Sequence, residues 1–188
     1  MEPIFSSFLL VAISEMGDKT QLLAFSLATK YRRPWIVMSG ILAATILNHT
    51  LAAAVGTWVS AHVPARVMGA ILAATFIGFG FWTLKPDTLE EKEKPDRFGP
   101  FLTTTILFFL AEMADKTQLA TVALAARYQS IALVTVGTTL GMLASDGLAV
   151  FLGEKVAARV PMKWIRIAAA GVFFAFGGVS AWGALQSA

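Results

Sequence analysis

Glu15-Met16-Gly17-Asp18-Lys19-Thr20-Gln21-Leu22 and Glu112-Met113-Ala114-Asp115-Lys116-Thr117-Gln118-Leu119 are one stretch written twice, 97 residues apart, with a single change from Gly17 to Ala114. The same ungapped shift lays Tyr31 on Tyr128, Gly40 on Gly137, Gly56 on Gly153, Pro64 on Pro161, Phe76 on Phe173 and Gly80 on Gly177. The chain is therefore an internal duplication. Each copy sets two acids, a lysine, a threonine and a glutamine inside a long apolar run, and what surrounds that run decides the fold.

The surroundings are poor in charge. Of 188 residues, 56% are hydrophobic and 14% charged, and the mean hydropathy is +0.68. A soluble domain carries about 25% charged residues. The apolar residues come in runs, and runs of about 20 are read as membrane-crossing helices. Six can be marked: 4–29, 35–59, 66–84, 101–126, 130–152 and 164–185. Soluble enzymes, DNA-binding domains and disordered tails are excluded. The expected fold is an all-α membrane protein of six transmembrane helices in two three-helix repeats: 1–84, then a charged linker 85–100, then 101–188. Three crossings is an odd number, so the second repeat is expected to be inverted. Inverted repeats are a plan of secondary transporters. The first apolar run lacks a basic leader and a small-residue cleavage site, and reads as a retained helix.

Loop charges give an orientation. Lys30, Arg32 and Arg33, then Lys85, Lys92, Lys94 and Arg97, then Lys155, Arg159, Lys163 and Arg166 fall in three loops on one side. The other side holds Arg66 and Arg127. The positive-inside rule puts the basic loops in the cytoplasm and both termini outside it. The net charge of +3 thus reflects topology and implies no nucleic-acid partner.

Glu15 and Glu112 each lie about eleven residues into their runs, or roughly 16 Å at 1.5 Å per residue, near the middle of a ~30 Å hydrocarbon core. An ionisable group there costs about 2.5–3.5 kcal/mol on the insertion scale and by default marks an ion path. Within each helix the Glu and Asp (Glu15 and Asp18, Glu112 and Asp115) are three apart and are expected to project from one face. Two antiparallel helices then gather four carboxylates. With no cysteine and only His49 and His62, the ligands are oxygen, which suits Mn²⁺, Ca²⁺ or Mg²⁺. Thr20, Gln21, Thr117 and Gln118 add neutral oxygens. Four crowded acids do not all stay ionised without a cation, so protons and metal would alternate at one site. Lys19 and Lys116 sit at i+4 from their glutamates, and pairing that merely locks helices is the bland alternative; it leaves two acids against one lysine in each copy. Asn48 and Asp146 are read equally as pathway lining or as interhelical hydrogen bonds. His49 reads as a packing or gate residue, His62 as exposed, and Trp35, Trp58, Trp82, Trp164 and Trp182 as interface anchors.

The two motifs resemble the paired E-x-G-D-(K/R)-(T/S) motifs of a manganese/calcium cation exchanger family that includes Golgi and chloroplast transporters and bacterial manganese exporters. The resemblance covers the whole chain, departing at Ala114. It implies a secondary active transporter that exports Mn²⁺, with Ca²⁺ as a related substrate, in exchange for H⁺ or Na⁺. Glu15, Asp18, Glu112 and Asp115 are the implied metal ligands. Thr20, Gln21, Thr117, Gln118, Lys19, Lys116, Asn48 and Asp146 support the metal or proton pathway. No resident cofactor is expected beyond the transported ion, and the bacterial inner membrane is the expected location. A homo-oligomer is open. A six-helix exporter of small organic solutes such as amino acids shares the plan but should want fewer clustered acids. An intramembrane aspartyl protease is disfavoured because Tyr-Asp and Gly-x-Gly-Asp are both missing, and the chain is not expected to be an enzyme.

Overall fold

In a computed structural model, residues 1–85, 98–113, 115–152 and 162–186 are described, and all regular structure among them is helical. The helices are α1 (Glu2–Glu15), α2 (Lys19–Tyr31), α3 (Pro34–His62), α4 (Ala65–Thr83), α5 (Gly99–Glu112), α6 (Lys116–Tyr128), α7 (Ile131–Leu152) and α8 (Met162–Gln186). Most of the 85–100 linker, the Glu154–Pro161 part of the last basic loop and Ala114 lie outside the described residues.

α3, α4, α7 and the Arg166–Gln186 part of α8 are each long and apolar enough to cross a membrane, and α5 is a shorter apolar helix. The runs 4–29 and 101–126 are not the continuous helices expected. Each is two helices, of 14 and 13 residues, separated at the motif. Gly17 explains the first break. Its φ of +78° is the left-handed conformation that glycine adopts without steric penalty, and it ends α1. Asp18 then starts α2 as its N-cap, the carboxylate accepting from Lys19 N at 2.7 Å.

Burial is arranged for a lipid solvent. Leu42, Ile46, Leu51 and Val55 on α3, and Val136, Leu140 and Leu152 on α7, face outward. Thr45, Asn48, His49, Thr138, Ser145 and Asp146 of the same helices are buried. Trp35, Trp58, Trp164 and Trp182 are exposed, as anchors at a headgroup boundary would be.

The breaks are braced by the long helices of the opposite half. α3 runs parallel to α5 and α6: Gly40 meets Phe101 and Thr104, and Asn48 lies against Phe109 and Gln118. α7 runs parallel to α1 and α2 in the same register, with Gly137 against Ile4 and Ser7 and Ser145 against Gln21. A Cβ on Gly40 would sit 2.9 Å from Phe101 O, and one on Gly137 would sit 2.5 Å from Ile4 O, so both positions need glycine for close approach. α3 and α7 run opposite to each other, with the Trp35 and Phe151 rings in tilted contact at 4.7 Å. α4 and α8 also pair antiparallel, through Phe76, Phe173 and Phe176 in the middle and Gly69 against Ala184 at one end. α3 and α7, like α4 and α8, are thus antiparallel, and the two breaks meet between α3 and α7.

Candidate ion site

At each break the chain makes a tight turn: Asp18 N donates to Glu15 O, and Asp115 N donates to Glu112 O, both at 3.1 Å. The flanking backbone repeats closely. Met16 and Met113 have φ/ψ of −65°/118° and −65°/122°, and Asp18 and Asp115 have −85°/169° and −80°/166°. The residues on either side of the two breaks therefore take the same conformations. The turn also corrects the geometry expected for the acids. Glu15 and Asp18 are not neighbours on one helical face; Glu15 ends one helix and Asp18 begins the next, as Glu112 and Asp115 do. The turn also points the C-terminal ends of α1 and α5 at the site. Helix C-termini favour cations through their unpaired carbonyls.

Glu15, Glu112 and Asp115 come together, each offering a carboxylate oxygen within 4.8 Å of the others. All three residues are buried. Thr20 Oγ1 donates to Glu15 Oε2 at 2.6 Å, and Thr117 Oγ1 to Glu112 Oε2 at 2.9 Å. The second oxygens, Glu15 Oε1, Glu112 Oε1 and Asp115 Oδ2, have no hydrogen-bond partner among the described residues. Buried polar atoms are ordinarily satisfied, so three unsatisfied acceptors on three clustered acids call for an explanation. Converging oxygens without sulfur or nitrogen match a hard divalent cation.

Asp18 lies outside that triad. Its Oδ2 is 2.5 Å from Lys116 Nζ, while Lys19 Nζ is 2.6 Å from Asp115 Oδ1. The lysines therefore cross over, each pairing with the other motif's aspartate. Lys116 and Asp18 are both buried, so this pair is held out of water. Gln21 bridges outward: its Oε1 accepts from Gly17 N at 2.8 Å, and its Nε2 donates to Ser145 O at 2.9 Å. Gln118 Nε2 lies 3.5 Å from Asn48 Oδ1, and Asn48 Nδ2 donates to Phe109 O at 3.0 Å. Asn48 thereby braces α3 against α5. Asp146 is fully buried beside the motifs, with neither oxygen hydrogen-bonded among the described residues, and the same holds for both ring nitrogens of His49. His62 is exposed, its Nδ1 2.8 Å from Trp58 O. The bracing carbonyls of Ser145 and Phe109 have no residue-type signal, and the sequence did not point to them.

An all-helical membrane protein with two helix breaks meeting at buried carboxylates that keep unpartnered oxygens is built as an ion transporter. The model of the family described as "Divalent cation/proton antiporter GDT1" matches this chain twice, over residues 3–91 and 100–188. The chain belongs to that family. Among its relatives, a Vibrio cholerae protein named "Putative manganese exporter" is 40% identical over 174 residues, covering 92% of this chain and 87% of the relative. A GDT1-like protein of Synechocystis is 32% identical over 202 residues, covering 94% and 95%. A GDT1-like protein of Oryza sativa is 27% identical, covering 93% and 72%. No solved structure matches significantly.

Proposed function

We propose that this antiporter exports Mn²⁺ from the cytoplasm, with Ca²⁺ as a related substrate, in exchange for H⁺. Six crossings in two inverted repeats would carry it, with α1–α2 and α5–α6 each serving as one broken crossing. The helix directions and the reciprocal Lys19–Asp115 and Lys116–Asp18 pairs support that symmetry. The observation that carries the reading is the set of three unpartnered oxygens on Glu15, Glu112 and Asp115. An incoming ion gains three carboxylate ligands, with Asp18 as a fourth when Lys116 moves aside. Departure of the ion leaves like charges crowded in a dry site, and protons relieve them. Carboxylates thus hold either metal or protons, which is the exchange. Thr20 and Thr117 orient the glutamates, Gln21 and Gln118 fix the turns against α7 and α3, and Asn48 and Asp146 line the approach. The reading puts the basic loops in the cytoplasm, both termini outside it, and the protein in a bacterial inner membrane.

The test is Mn²⁺ and Ca²⁺ flux into proteoliposomes under an imposed pH gradient, for wild type, Glu15→Gln, Glu112→Gln and Asp115→Asn. Flux that follows the gradient in wild type and falls at least about tenfold in each variant is expected, since each removes a charged ligand. Undiminished flux in the variants would remove these residues from the site. Gradient-independent flux in wild type would remove proton coupling from the reading.

A further inference from the structure

Five acids lie within the apolar runs, and four of them are met by donors. Glu15 and Glu112 accept from Thr20 and Thr117, Asp18 pairs with Lys116, and Asp115 pairs with Lys19. Asp146 of α7 is the exception. It is fully buried, and among the described residues neither of its oxygens has a hydrogen-bond partner. It also stands outside the triad of Glu15, Glu112 and Asp115. Its neighbour Ser145 takes the Gln21 amide on its carbonyl, which sets this turn of α7 against the first break. The helices packed on α7 are chiefly α1, α2, α3 and α6. They and their caps bring Glu15, then Asp18 and Lys19, then His49, then Asp115 and Lys116. The charges that reach Asp146 are those of Glu15 and Asp18, both acids, and Asp146 acts in turn on Glu112 of α5. Both lysines are ion-paired to motif aspartates. A carboxylate buried without a cation or a donor ordinarily takes up a proton.

The repeat shift lays His49 on Asp146. His49 is likewise fully buried, with both ring nitrogens unpartnered among the described residues. As ions, the two would carry opposite charges at related places in the two halves. As neutral groups, imidazole and carboxyl each offer a donor and an acceptor, and the halves then match. Charge counting agrees. Glu15, Asp18, Glu112 and Asp115 against Lys19 and Lys116 leave two negative charges, which one divalent cation cancels. An ionised Asp146 would leave a surplus charge inside the membrane. We propose, on the ion-site reading above, that Asp146 carries a proton with and without the bound ion, and so fixes the charge of the site at the value a divalent cation balances. It is then a neutral hydroxyl donor on the ion's approach, and neither a ligand nor the source of the exchanged proton.

A protonated carboxyl group shows an infrared carbonyl stretch that a carboxylate lacks. Spectra of reconstituted wild type and Asp146→Asn at neutral pH should differ by that band, both with and without Mn²⁺. Asp146→Ser isolates the same band should the asparagine variant fail to fold. Calorimetric titration with Mn²⁺ in buffers of different ionisation enthalpy gives the affinity and the number of protons released per ion. Both should be the same in Asp146→Asn as in wild type, because an amide copies a neutral carboxyl in shape and charge. Spectra without a band difference would mean that Asp146 is ionised, and would overturn the proposal. So would a fall in affinity of roughly 10-fold or more, the loss that removing a ligand or its support brings. A proton count lower by one would also overturn it, by marking Asp146 as the source of an exchanged proton. A wild type that binds no Mn²⁺ would end the ion-site reading instead, and the ion-free spectra would still decide whether Asp146 holds a proton.

Discussion

At the residue scale, the motif divides labour among side chains that its spelling presents as equals. Glu15, Glu112 and Asp115 leave oxygens open, Asp18 is committed to Lys116, and the threonines orient the glutamates. Thr117→Val should therefore weaken Mn²⁺ binding by about 10- to 100-fold without unfolding the protein, as loss of an orienting partner does at metal sites. Calorimetric titration beside a melting curve separates the two effects. Asp18→Asn alone takes the ionic partner from a buried ammonium, which should cost about 3–5 kcal/mol. Adding Lys116→Met should restore much of that stability, and a double-mutant cycle on thermal melts would show the coupling; additive losses would mean the pair matters little. The acids were legible because carboxylates inside apolar runs have few bland explanations. Their unequal roles were not, because partner choice depends on which lysine crosses between halves.

At the element scale, the six apolar runs foresaw which stretches are helical and missed that two of them are broken. The signal was present in the first copy. A glycine followed by an aspartate is a helix stop and a helix start, but hydropathy averaged over a window passes across three residues without registering them. Helix packing was legible only as an abundance of small residues. The partner of each glycine follows from the parallel run of α7 along α1 and of α3 along α5. Gly137→Val, driven into the Ile4 carbonyl, should lower stability by about 1–3 kcal/mol. Gly78→Ala meets nothing within 4 Å and should hold or gain stability, by up to about 1 kcal/mol. Melting in one detergent compares the two, and equal effects would argue against close approach at Gly137.

At the scale of the whole molecule, protons and metal compete for one set of oxygens, so Mn²⁺ affinity should fall with acidity, by as much as about tenfold per pH unit for each proton displaced. Equilibrium binding at several pH values in detergent reads this directly, and a flat profile would separate proton coupling from the carboxylates. A reporter fused after Ala188 is expected on the non-cytoplasmic face, since the orientation rests on loop charge alone. Fold class and membrane character came from composition and duplication together. The crossed lysines have a further consequence, for biogenesis. On the proposed six-crossing plan α2 enters the bilayer while Asp115, the partner of Lys19, is still unsynthesised, 96 residues downstream, and Asp18 likewise awaits Lys116. The first half would then wait in lipid without these cross-half partners until the second arrives. Cutting the gene between Asp87 and Arg97 should therefore yield two fragments that are each short-lived alone and rescue one another when made in the same cell.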